Sequence, residues 1–334
     1  MPITTFSTDF QSRPVVEGPL GSASLDQLRR EAFPLSPPAN PGRAGTEAQP
    51  WRSYKLAPLP DKRLLVSVVA DRGNTDHLDR PVISATGCVL RLDHLDGPLR
   101  DIGSLWGALD ALSAHTPPSA DAVLEEVTRS SPLCSDAAFA ELSERLSERG
   151  AFYAYAAATI SRCPTVDMVL PMHAEANRHL LAVMLLVPLD RLMRLHLATG
   201  ATTSDKREMV LGVQRAPPRP GAEREASGGL LGSLSSLTAP AEPVKKVPLV
   251  DFGRSRVVDG PSGSGPLWLS KLGARDSDWP GLSPRERFAL LVRTGDARVL
   301  KTADTSLFSH KELDRVRRMA EELQLAEDGL KDWR

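Results

Sequence analysis

The clearest pattern along the chain is the aliphatic run Leu64-Leu65-Val66-Ser67-Val68-Val69-Ala70, rich in β-branched residues and bounded by charged residues and glycine. That composition predicts a strand. A polar stretch, Asp71 to Arg80, follows it, and Pro81 to Leu92 (Val82, Ile83, Val89, Leu90) reads as a second strand. Two strands joined by such a stretch predict a long-looped hairpin whose tip is open to act as a contact surface.

Helical periodicity takes over downstream. Ile102, Leu105, Trp106, Leu109 and Leu112 fall on one face, and Phe139, Leu142 and Leu146 form an amphipathic helix that ends at Gly150, a residue suited to the left-handed position after a helix. Phe152 to Ile160 is apolar and Ala-rich, and Val166 to Pro171 reads as a short buried strand. Residues 174–187 are the most hydrophobic helix, apolar nearly all round from Leu180 to Val187, which predicts a central position. Pro188 breaks it, Leu189 to Leu197 resumes as a second helical piece, and Met209 to Val213 is a further strand candidate.

The ends and joints are read from punctuation. Residues 1–32 combine short apolar pieces with a helix near Leu25–Phe33, an edge element. Residues 34–60 carry seven prolines from Pro34 to Pro60 and predict an extended loop. Residues 216–245, rich in Pro, Gly and Ser, bury too little apolar surface to offset ordering entropy and read as a flexible linker. Beyond them two capping boxes, Ser283-Pro284-Arg285-Glu286 and Ser309-His310-Lys311-Glu312, open amphipathic helices. The expected organisation is an α+β lobe over 1–215 with a mixed sheet and packed helices, the linker over 216–245, and a mostly helical segment over 246–334.

Charge narrows the function classes. The 41 basic and 42 acidic side chains give a net charge of −1, interleaved along the helices, whereas a nucleic-acid binder needs a basic face. Cys88, Cys134 and Cys163 are odd in number and widely spaced, which is not a disulfide framework and fits a reducing, cytoplasmic setting. The N-terminus lacks a basic start followed by an apolar run, and the longest apolar run, Leu180 to Leu189, is about half the ~20 residues of a membrane-spanning helix.

Candidate chemistry is sparse. Gly260-Pro261-Ser262-Gly263-Ser264-Gly265 lacks the Lys-Ser/Thr pair of a phosphate-binding loop, so it reads as a turn or linker. The seven histidines form no zinc spacing, though His179 and Glu175 share a helix face at i, i+4 and read as a surface or interface pair. No nucleophile elbow appears, and Cys88 within a strand reads as a packed thiol. No cofactor is expected. The densest polar cluster is the hairpin stretch 71–81, with Asp76, His77, Asp79 and Arg80 as candidate partner-binding residues.

The order of several short motifs resembles the bacterial GTPase-associated protein 1 family over about residues 1–215. The segment Leu28-Arg29-Arg30-Glu31-Ala32-Phe33-Pro34 precedes a proline-rich loop. The strand Leu64–Ala70 then leads into Asp76-His77-Leu78-Asp79-Arg80-Pro81, and later come Val187-Pro188-Leu189-Asp190-Arg191-Leu192 and Leu197-Ala198-Thr199-Gly200. Asp79 stands where the family pattern has glycine, Thr86-Gly87-Cys88 occupies the place of its second-strand histidine, and Arg191 follows Pro188 one position early. The resemblance implies a non-enzymatic adaptor or regulatory subunit that binds a protein partner, a GTPase, in a bacterial conflict or signalling system. Asp76, Arg80, Pro81, Pro188 and Arg191 are the positions it carries over. A hydrolase or transferase with dispersed catalytic residues and a structural subunit of a larger assembly are the alternatives, and the oligomeric state stays open.

Overall fold

The computed structural model describes residues 3–9, 13–20, 23–33, 51–75, 81–95, 97–113, 116–164, 166–170, 174–199, 210–213, 247–260, 283–286, 288–289 and 292–293. The chain is α+β. Its larger sheet is antiparallel, in the order β2-β1-β5-β4-β3-β7, built from β1 (Thr4–Asp9), β2 (Val15–Glu17), β3 (Arg52–Leu59), β4 (Arg63–Thr75), β5 (Pro81–Arg91) and β7 (Leu197–Ala198). Strand β4 is central and covered on both sides. Leu64, Val66 and Val68 enter the main core, while Leu65 and Val69 face a smaller core under helix α1 (Leu25–Ala32). Burial on two faces explains why its aliphatic residues run on without alternation.

Two expectations for this sheet change. The stretch 52–59, read as part of a proline-rich loop, is strand β3, paired to β4 from Arg52↔Ala70 to Leu59↔Arg63. Its other neighbour, β7, pairs only at Lys55 and Leu56, so Pro58 lies where β3 has become an edge and proline's missing donor is tolerated. The hairpin loop is also shorter than the polar stretch 71–80 suggests. Strand β4 continues to Thr75, which pairs with Pro81 after a register shift that begins at Asp71. Backbone pairing is indifferent to side-chain polarity, so the ladder runs on past the core. Strand β1 is internal, between β2 and β5, and β2 forms the edge.

The other helices pack on the main-core face: α2 (Ile102–Ala111), α3 (Ala120–Ser130), α4 (Asp136–Arg162), α5 (Ala174–Leu186) and α6 (Leu189–Leu192). Side-chain oxygens start α1 to α4, with Ser24, Asp101, Ser119 and Ser135 accepting from backbone N–H groups of α1, α2, α3 and α4. Helix α3 escapes the periodicity reading because only Val123 and Val127 are buried. Gly150 does not end the amphipathic helix. The chain kinks at Arg149 (φ −132°, ψ 18°) and continues to Arg162, since the Ala-rich run beyond is buried and gains more by staying helical. Helix α5 is central as expected, with Leu180, Val183, Met184 and Leu185 buried, and Pro188 separates it from α6. The helical piece expected over 189–197 shortens to one turn, because Leu197 and Ala198 pair with β3.

A second, mixed sheet has the order β10-β9-β6-β8. Strand β6 (Val166–Val169) runs parallel to both β8 (Val210–Val213) and β9 (Leu249–Asp251), and β10 (Arg256–Val258) returns antiparallel to β9. Residues 249–258, expected within a mostly helical segment, thus complete a sheet begun by the first lobe. The Ser283 capping box forms as predicted, Ser283 N–H donating to Glu286 Oε2 at 2.8 Å and Glu286 N–H to Ser283 Oγ at 3.3 Å. Arg285 then pairs with Asp136 at 2.5 Å and Phe288 packs on Phe139 at 5.5 Å, which seats this segment on the start of α4. The linker over 216–245 and the second capping box at Ser309 lie outside the described residues.

Candidate functional site

The predicted contact residues Asp76, His77, Asp79 and Arg80 lie outside the described residues. Arg191, half-buried on α6, donates from Nε to Ile160 O at 3.1 Å and from Nη2 to Cys163 O at 2.8 Å. These carbonyls end α4, where orphan acceptors and the negative end of the dipole favour a cation. Arg191 thus ties α6 to the end of α4, and no described residue brings it to the hairpin.

What the helices enclose is a groove of about 310 Å³ among α2, α3, α4 and α5. Leu142, Leu181 and Leu185 give it apolar walls, and Glu126, Glu141, Arg145 and Arg178 supply charges. Glu141 and Arg145 pair along α4 at 2.5 Å, and Glu126 pairs with Arg129 along α3 at 2.6 Å. Two glycines one turn apart shape it. A Cβ on Gly103 would lie 2.7 Å from Leu181 O, so this glycine permits the close approach of α2 to α5. A Cβ on Gly107 would meet nothing within 4 Å, so the missing side chain leaves the groove open at that turn.

Asp101 lines the groove and is fully buried as the N-cap of α2. Its Oδ1 accepts from Ser104 N–H at 3.1 Å, and its Oδ2 from Ser104 Oγ at 2.7 Å and Ser131 Oγ at 2.9 Å. Burial pushes its pKa up, against those hydrogen bonds and the Arg100 charge. The carboxyl joins α2 to the start of the α3–α4 connection, and Arg100 beside it donates to Val187 O at 2.7 Å. This is a structural node that fixes the groove walls.

A second polar network sits where α4 kinks. His179 is buried at 1% exposure, which removes the surface alternative of the surface or interface pair; Glu175 does meet it, at 3.2 Å, and is the exposed partner. Burial follows from α5 being central, since residue 179 faces α4. Tyr153 Oη is 2.5 Å from His179 Nδ1, and Arg149 Nη1 is 2.8 Å from Nε2. Desolvation pushes the Tyr153 phenol up to about 12, so it stays protonated at neutral pH.

Cys88 lies inside β5, fully buried between Thr5 and Val66, and burial pushes its thiol up. It faces the main core rather than a cleft. Cys134 and Cys163, half-buried, are also raised, mainly by desolvation. All three cysteines are free. Among the described residues no group of three or more His, Cys, Asp or Glu side chains could hold a metal ion, and no helix is long and apolar enough to cross a membrane.

Sequence reasoning missed Asp101, Gly107, Arg145, Arg149 and Tyr153. One signal was available: Gly103 and Gly107 stand four apart in a mostly apolar helix, with Asp101-x-x-Ser104 as its cap. Small residues at that spacing mark one helix face where a neighbour comes close or a hollow remains. No protein-family model, no curated protein and no solved structure matches the chain.

Proposed function

We propose that this chain is a non-catalytic adaptor or regulatory subunit that binds a protein partner, and that the α2–α5 groove is a docking site for it. The observation that carries this reading is the pairing of an apolar wall (Leu142, Leu181, Leu185) with a charged margin (Glu141, Arg145, Arg178) around the unfilled position at Gly107. Leucines present the surface a partner's apolar side chains bury, and mixed charge at the edge selects register and partner rather than adding much affinity. The polar stretch with Asp76, His77, Asp79 and Arg80 is a second contact surface in this reading. A GTPase as partner, and a bacterial conflict or signalling setting, rest on the sequence resemblance through Asp76, Arg80, Pro81 and Pro188. A cytoplasmic location rests on the reduced cysteine pattern.

The test is affinity capture from the native host with three baits: the unaltered chain, Gly107→Leu and Arg80→Ala. The expected result is a GTPase held by the unaltered chain and lost with Gly107→Leu, while Arg80→Ala weakens it. Retention of the full partner set by both variants removes the groove and the polar stretch as contacts. Turnover by the purified chain would replace the adaptor reading with the dispersed-site enzyme.

A further inference from the structure

We propose that His179 is a proton-operated latch that fastens the β9–β10 turn to the kink of α4 when neutral and releases it when protonated. The reason lies at one atom. His179 Nε2 stands 2.8 Å from Arg149 Nη1 and 3.2 Å from Glu175 Oε1. A guanidinium can only donate, so the first contact needs a lone pair on Nε2; a carboxylate can only accept, so the second needs a proton there. One nitrogen satisfies one partner at a time.

In the neutral state Arg149 donates to Nε2, and the Nδ1–H donates to Tyr153 Oη at 2.5 Å. The same Arg149 Nη1 donates to Ser255 Oγ at 2.7 Å, in the turn between β9 and β10. Arg149 therefore spans from the buried imidazole to the hairpin, and it does so from the one residue of α4 with non-helical backbone angles. When a solvent proton binds Nε2, the N–H turns to Glu175 and the imidazolium repels the guanidinium beside it. Arg149 withdraws, and Ser255 loses that donor.

The surrounding charges are arranged for such an exchange. Glu175, 48% exposed, connects the buried ring to solvent, and Arg178 lies 4.0 Å from it on the same helix. From α4, Arg145 and Glu148 act on Tyr153 from opposite signs, and Arg145 is paired to Glu141. On the hairpin, Arg254 and Arg256 both lie against Asp251, at 4.0 and 3.5 Å. Phe152 meets the imidazole edge-on at 6.4 Å and screens that side from water. Histidine is the side chain whose charge ordinarily changes between about pH 5 and 8. Arg145 and Arg178 also stand in the charged margin of the groove.

The test uses the full chain. Ring ¹⁵N spectra of His179 report which nitrogen carries the proton, and amide exchange over 249–258, corrected for intrinsic pH dependence, reports the hairpin. The expected result is an unprotonated Nε2 at neutral pH and a doubly protonated ring in acid, with hairpin exchange about tenfold faster in acid. Arg149→Ala makes exchange fast at both pH values. Glu175→Gln, at an exposed position, moves the transition to lower pH because the imidazolium loses its carboxylate. A ring whose protonation does not change across this range, or hairpin exchange that stays flat in the unaltered chain, overturns the proposal.

Discussion

Gly107 offers the sharpest single test of how the groove is built. It is an exposed glycine in the interior of α2, where glycine costs about 0.8–1.0 kcal/mol relative to alanine. Nothing stands within 4 Å of a Cβ placed there, so alanine meets no opposing contact. Gly107→Ala should therefore stabilise the protein by about 0.5–1 kcal/mol, partly through reduced freedom of the unfolded chain. Leucine has nearly the same helix propensity, so Gly107→Leu should keep most of that gain while projecting a branched side chain into the groove. Urea titration gives the stability, and the change should appear as a higher midpoint at constant m-value. Partner capture with the same two proteins gives the function, with alanine tolerated and leucine not. If Gly107→Ala lowers stability by more than about 0.5 kcal/mol, the space beside α2 is not open. If Gly107→Leu is stable and binds normally, the groove is not a docking site.

The neighbouring turn should respond in the opposite sense. Gly103→Ala places a Cβ 2.7 Å from Leu181 O, so α2 and α5 must move apart, with a net loss of about 1–3 kcal/mol in urea titration; no loss would mean the helices are not in contact there. Asp101 is held above its ordinary pKa mainly by burial, so its contribution to stability is present below the unfolded carboxyl value of about 3.9 and is lost as pH rises through the folded value. The stability difference between the unaltered chain and Asp101→Asn should accordingly narrow from acid to neutral pH; widening would mean that the Ser104 and Ser131 hydrogen bonds outweigh desolvation. Thiol labelling should reach half-buried Cys134 and Cys163 first and Cys88 only on unfolding, and fast native labelling of Cys88 would contradict its place inside β5.

Local physics made several elements legible without coordinates. Strand β4 announces itself because a strand buried on both faces must be aliphatic throughout, and α5 because its buried half is apolar on every side from Leu180 to Leu186. The Ser283 box forms because its partners lie three residues apart, a distance the chain itself sets. Strand β3 was hidden, since its prolines spoke for a loop and only the neighbouring β4 gives its backbone groups partners. The same holds for β9, whose three residues mean nothing until β6 lies beside them.

The groove and the latch were beyond a linear reading for the same reason. Asp101 meets Ser131 across thirty positions, Arg149 meets Ser255 across more than a hundred, and neither spacing leaves a periodic trace. The pairing of Glu175 with His179 was visible because one helical turn separates them, but its burial was not, because the packing of α4 against α5 decides it. Sequence determined by itself whatever depends on neighbours within about one turn or on how much apolar surface a segment carries. Tertiary structure alone decided which polar groups share an atom, because that depends on contacts the chain makes only after it has folded.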